Sequence, residues 1–428
     1  MQRGSAGGEA VPESLVTSDV RARPTLVALA AATLFGGIGL AAGGTAGGVL
    51  GADLGGTDAA AGLPLGLLVA GSAGAALVIS RSTESVGRAR SLMFGYLVGA
   101  LGALVVVLAT AAGAFVLLLL GSPLLGAANA SLFLTRYAAA EVGGDAMRGQ
   151  ALGVVLAATA IGAVASPTLM GPSGEVARIL GLPPLSGLYL VAAVAFPTAA
   201  LVLGVTSSTR TPRLAPAAGV PAPDVGLRGV TRRHVVDGLR PPRTRVALFE
   251  LATTNLVMVA VMAIAPVHLV AHGVPIGVIG VVISIHVAGM FAPSPMSGWL
   301  ADRIGPATVA GLGSAVLVGA AVAGTLVPRN ATAALSTVLV LLGVGWNLGV
   351  VGASTALVVS VPVSLRPRVE GIGEFAMGLA AAVGAPLAGI VAAVGGMMML
   401  WVVGAAIAAS ALIVAAVSMT RTAQAPAA

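Results

Sequence analysis

Polar and apolar positions along this chain sort into long blocks rather than into a short period. Stretches dominated by Ala, Gly, Val and Leu recur from end to end. Each is long enough to cross a bilayer, for which a helix needs about 20 mostly apolar residues. Twelve of them are predicted as helices, at roughly 25–51, 60–79, 91–111, 113–135, 149–170, 185–205, 246–271, 276–297, 306–327, 333–361, 372–394 and 397–418. The segment 206–245 is rich in Pro, Arg and Ala and contains no apolar span. It divides the chain into one six-helix bundle at 24–205 and a second at 246–419, with polar tails at 1–23 and 420–428. The expected fold class is therefore an all-α membrane protein of twelve transmembrane helices in two six-helix bundles. Two halves of like topology are the usual layout of a secondary transporter. The first tail has no apolar core of its own and is expected to be a disordered cytoplasmic segment rather than a signal peptide.

Composition agrees with lipid as the main solvent. Of 428 residues, 57% are hydrophobic and 9% charged, where soluble domains carry about 25% charged residues. All 22 basic residues are Arg. Alternate loops hold Arg81, Arg88 and Arg90, then Arg136 and Arg148, then eight at 210–245, then Arg303, then Arg366 and Arg368. With Arg3, Arg21, Arg23 and Arg421 in the tails, 20 of the 22 fall on one side, leaving Arg178 and Arg329 on the other. Cytoplasmic loops carry the excess of basic residues. Both termini are thus expected in the cytoplasm, with the protein in the plasma (inner) membrane of a bacterium. The net charge of +7 arises from these loops and does not point to nucleic acid. There is no cysteine, which excludes disulfides and thiolate metal sites. The sequence has no Walker loop, catalytic triad or H-E-x-x-H zinc motif, so neither an enzyme nor an ATP-driven pump is expected. No cofactor is expected either, and the expected state is a monomer in the bilayer carrying a small solute.

An internal repeat supports the division into halves. After the eighth span the chain reads "GWLADRIGP" from Gly298, and after the second it reads "SRSTESVGRAR" from Ser80. Both loops place an acid fifth (Asp302, Glu84) and a glycine eighth (Gly305, Gly87). "GWLADRIG" resembles the G-x-L-x-D-R-x-G signature of the major facilitator superfamily, carried here by Gly298, Asp302, Arg303 and Gly305. The resemblance implies two bundles rocking around a central site. It also implies a gating loop whose acid caps a helix N-terminus in the other half, where the positive end of the helix dipole favours a carboxylate. The N-terminal copy departs from the pattern, with Ser80 for the first Gly and Ser85 for the Arg, so a weaker latch is expected there.

A narrower resemblance lies in the C-terminal half. The seventh span contains Met258-x3-Met262, and the eighth contains His286-x3-Met290 followed by "FAPSPMSG". The tenth adds "LLGVGWNLGVVGAST". Together these look like the CcoA-like (CalT) transporters, which include bacterial copper importers using an MxxxM and HxxxM pair in these helices. Glu374 stands where that resemblance implies an Asn-Asp pair. At ~1.5 Å rise per residue, the four side chains lie roughly 15–22 Å below the outer ends of their spans, near the bilayer middle. Thioethers and an imidazole are soft ligands suited to Cu(I). The competing reading is packing. Methionine is an adaptable filler of membrane cores, and an imidazole can be satisfied by a neighbouring helix. Against packing alone stands the cost of an ionisable group at mid-membrane.

Glu374 and Glu250 are candidates for proton coupling, with pairing to nearby arginines as the alternative for each. His268 and His272, four apart near an outer helix end, are a further possible metal contact or an ordinary interfacial pair. The leading expectation is copper uptake by alternating access. The alternative is proton-coupled uptake or efflux of a small organic solute or drug. If the arginine asymmetry sets orientation, a reporter fused at Gly226 will read as cytoplasmic and one at Asn330 as external. The same side for both would end the twelve-span reading.

Overall fold

The computed structural model describes residues 13–41, 46–56, 60, 62–208, 232–328 and 331–423. The distal parts of the expected tails and most of the linker lie outside them. The N-terminal bundle is built from α1 (Glu13–Ala41), the short α2 (Gly47–Gly55), α3 (Gly62–Val86), α4 (Arg88–Ala112), α5 (Phe115–Val142), α6 (Gly144–Thr168), α7 (Met170–Ile179) and α8 (Gly187–Ser208). A short α9 (Arg232–Leu239) follows in the linker. The C-terminal bundle comprises α10 (Pro242–Ala271), α11 (Ile276–Phe291), α12 (Ser294–Ile304), α13 (Pro306–Leu326), α14 (Thr332–Ser360) and α15 (Arg366–Ala423). Eleven of these segments are long and apolar enough to span a membrane, the last of them 58 residues long. That last one turns back at Gly396, where φ is 66° and ψ −167°, a conformation open to glycine because it has no Cβ. Counting the two arms of α15 separately, the described residues hold twelve apolar segments of crossing length.

The boundaries differ from the apolar runs for identifiable reasons. Helix α1 starts at Glu13, inside the segment expected to be a tail. Helices α3 and α5 run past their apolar stretches into charged sequence, because the charges there find partners across the molecule. The eighth span breaks into α11 and α12 around Pro293 and Pro295, which lack an N–H to continue the ladder. Asn347 of α14 repairs the break: its side-chain amide donates to the Met290 carbonyl at 2.7 Å and to Ser294 Oγ at 2.6 Å. Its oxygen accepts from Ser297 Oγ at 2.6 Å. Freed backbone groups in a membrane helix have to be satisfied in this way.

The loops between α3 and α4, α5 and α6, α12 and α13, and α14 and α15 share one face with the linker, here termed the linker face. Met419 beside Thr308 brings the end of α15 to that face too. The two halves meet chiefly where α6 packs on α12 and α3 on α15. On α3, Ala73, Ala76 and Ser80 follow one helical stripe and pack on Gly371 and Gly378 of α15. Farther along the same stripes, a Cβ placed on Gly66 or Gly389 would find nothing within 4 Å. The bundles are therefore closed against each other at the linker face and part toward the opposite, far face.

Candidate functional site

The closed end is held first by a helix cap. Met147 leaves helical geometry (φ −135°, ψ 28°), so α6 effectively restarts there and exposes fresh N–H groups. The Asp302 carboxylate of α12 accepts from the Gly149 N–H at 2.7 Å and the Gln150 N–H at 2.9 Å. Such a cap uses both the orphan donors and the positive end of the helix. The two backbones touch alongside it: a Cβ on Gly298 would lie 2.0 Å from the Gly149 carbonyl, and one on Gly149 2.3 Å from the Gly298 carbonyl. Only glycine permits that approach. Gly305 ends the loop at φ 93°, and Gly87 ends the equivalent loop at φ 89°, so the repeat extends to the backbone. Arg303 stacks on Trp299 with 5.2 Å to the ring centre.

A ladder of ion pairs continues inward from this cap. Glu84 of α3 makes a two-point pair with Arg368 of α15, one contact being Nη2–Oε2 at 2.7 Å. Its partner is a guanidinium, not the helix end that its loop pattern implied. Arg88 bridges Glu141 of its own half at 2.7 Å and Glu370 of the other at 2.8 Å. Deepest lies Arg136, with no exposed surface. It donates to Glu374 of α15, to Ser354 Oγ of α14 at 3.1 Å, and to the Phe133 carbonyl and Tyr137 hydroxyl at 3.2 Å each. Its guanidinium lies over the Tyr137 ring at 4.7 Å. The planar, permanently charged fork suits such a site. Removing one member of a buried pair typically costs about 3–5 kcal/mol, because the other charge is left uncompensated.

Arg88 and Arg136, expected in loops, lie in α4 and α5, and Glu370 of α15 joins them as a site residue that carried no sequence signal. Arg136 ends an apolar run, but α5 continues through "YAAAEV" to Val142. Those helix-forming alanines were the available signal. Glu374 does have an arginine partner, though from the opposite half.

The four candidate metal residues, Met258, Met262, His286 and Met290, lie on α10 and α11. Met290 packs in a buried group with Trp346, Met258 borders that same group, and Met262 borders a different one around Val257, Val282 and Leu339. His286 is buried, and its Nδ1 lies 2.6 Å from the Leu339 carbonyl of α14. A carbonyl only accepts, so Nδ1 carries hydrogen. Nε2 is buried with no partner among the described residues. Glu250 is also buried, and its Oε2 accepts from Ser314 Oγ at 2.7 Å. It faces the interior of the C-terminal bundle, away from the interface. His268 and His272 stack with ring centres 4.2 Å apart.

The sequence profile described as Major Facilitator Superfamily matches residues 27–362 and 252–428. The uncharacterized MFS-type transporter YddS of Bacillus subtilis (strain 168) is 33% identical over 374 residues, covering 87% of this chain and 85% of that one. The chain belongs to the Major Facilitator Superfamily. It is a multi-pass membrane transporter and not an enzyme. The riboflavin transporter RfnT of Brucella anthropi is 26% identical over 333 residues, 77% of this chain and 79% of that protein. Among solved structures, the E. coli fucose:proton symporter FucP superposes with a TM-score of 0.71 at 13% identity, over 91% of this chain and 97% of that one. A bacterial homologue of the iron transporter ferroportin in an outward-facing state gives 0.71 at 12% identity, over 91% and 98%. At such identities these two structures share the fold.

For a transporter of this family, the cap should bias one conformational state. Asp302→Ala removes a contribution of about 0.3–2 kcal/mol, equivalent to a change of roughly 2- to 30-fold in the ratio of states. Cysteine probes placed on the linker face should become more accessible while the amount of protein in the membrane stays near normal. Unchanged accessibility would remove the gating role.

Proposed function

We propose that this transporter moves a small organic solute across the bacterial plasma membrane by alternating access, with the Arg136–Glu374 pair coupling movement to protons. In this reading, which the arginine asymmetry supports, the linker face is cytoplasmic and both termini lie there. The state described above is then the outward-open one. Both halves of the pathway belong to one chain, so a monomer suffices.

The observation that carries the reading is the buried pair itself. Arg136 comes from one half and Glu374 from the other, so opening the cytoplasmic side has to part them. A proton reaching Glu374 from the far-face opening neutralises it and releases Arg136; when the linker face has opened, that proton leaves to the cytoplasm, and the pair re-forms as the face shuts. The similarity to a protein named as a riboflavin transporter supports an organic solute. In proteoliposomes, Glu374→Gln should abolish proton-driven accumulation of the transported member of an organic panel that includes riboflavin. Exchange of labelled for unlabelled solute should persist, because it needs no net proton movement. Accumulation that survives in Glu374→Gln would exclude this carboxylate from coupling.

Copper uptake is a second reading, favoured by one observation: the unpartnered Nε2 of His286. A neutral imidazole could offer it to a soft ion together with Met290 one turn away. The division of Met258 and Met262 between different packing groups weighs against a four-residue site. If copper is carried, His286→Leu and Met262→Leu should each lose cellular copper accumulation at normal protein levels. Since protons compete with metal for imidazole, parental uptake should also weaken as the medium is made more acidic. Full copper accumulation in both variants would leave the organic solute as the account.

A further inference from the structure

A cavity of about 530 Å³ lies inside the C-terminal bundle, among α10, α13, α14 and the end of α15. It is separate from the interface between the bundles and opens toward the linker face. Its volume falls within the range of about 300–1,000 Å³ common to small-molecule sites. Val246, Ala310, Ala353, Val359 and Met419 give it apolar walls, and Glu250 is the one carboxylate among its lining residues. Glu250 is 1% exposed. Ser314 satisfies its Oε2, but Oε1 has no hydrogen-bond partner among the described residues.

We propose that this cavity binds a small amphiphilic amine, its ammonium deep against Glu250 and its apolar body along the walls. A buried carboxylate oxygen without a partner is costly, and an ammonium supplies both the opposite charge and the donor. The alanine, valine and methionine walls select an apolar remainder, since the lining hydroxyls are already engaged, Thr308 with Met419 and Ser360 with Thr244 and the Leu357 carbonyl. Arg243 lies exposed at the rim, two turns before Glu250 on α10. Positive charge at the mouth fits a single amine held deep, with an uncharged or acidic end toward water. Gly305 and Pro306 form part of the lining, immediately beyond the loop that carries Asp302. An occupant therefore packs against Gly305 and Pro306, directly beyond the end of α12 that carries Asp302.

The purified full-length protein can be titrated with 4-phenylbutylamine and with its neutral isostere 4-phenylbutanol, following heat of binding and the rise in Tm. The amine should bind at least about tenfold more tightly, as a charge-assisted hydrogen bond requires. Glu250→Gln, which keeps the shape and the contact to Ser314, should remove that preference and leave the alcohol unchanged. Val359→Trp fills the cavity from a partly exposed position and should weaken both ligands, providing a test that does not depend on altering the buried acid. Equal binding of amine and alcohol to the parent would overturn the proposal, reducing the cavity to an apolar crevice. A preference that persists in Glu250→Gln, or amine binding unaffected by Val359→Trp, would overturn it as well.

Discussion

Arg136 cannot shed its charge and in the closed interface is wholly buried. Every state of this protein must therefore give it either a carboxylate or an aqueous opening. In the state described, Glu374 meets that demand from the opposite half, with Ser354, Tyr137 and a backbone carbonyl taking further N–H groups. The halves are consequently not free to separate by small degrees at this depth. Either the pair is intact and the linker face is shut, or the pair is broken and water has entered. That all-or-none character is what a transporter needs from a gate.

The remaining closure elements are individually weaker and graded with depth. The Glu84–Arg368 pair is partly exposed, and pairs near solvent contribute about 0–1 kcal/mol. The Asp302 cap relies on backbone donors that exist only because α6 restarts after Met147. The glycine-on-glycine contact beside it contributes through close packing and places the carboxylate within reach. Several modest interactions in parallel give a closed face that one ligand's binding energy can still open. At the far face, the stripes on α3 and α15 that should meet stand apart.

Elsewhere, buried polar groups in this greasy chain repair or pin the backbone. Asn347 supplies the hydrogen bonds lost where two prolines break the eighth span. His286 ties α11 to α14 through the second lone pair of the Leu339 carbonyl. That bond accounts for one of its two nitrogens. The other, like the free oxygen of Glu250, is a polar atom that the fold alone leaves without a partner. Such atoms are where a bound ligand or ion has something to offer.

The succession of apolar helices, the division into two halves, and the paired loops ending at Gly87 and Gly305 were legible in the sequence. Each depends on local properties: the length of an apolar run, a break in composition, or a residue required at a turn. Asp302 was legible for the same reason, since its motif surrounds it in the chain. The partner of Arg136 was not, because Glu374 lies 238 residues away and nothing local marks either one as facing the other. Nor could apolar length reveal that α5 continues past its last apolar residue, since the charged turn is stabilised by groups from other helices. The sequence placed Glu250 at the start of a helix; only packing against α13 decided that it faces a cavity within the bundle. Met258, Met262, His286 and Met290 make the same point. Their spacing fixes depth in the membrane, but helix rotation and the intervening α14 decide which of them meet.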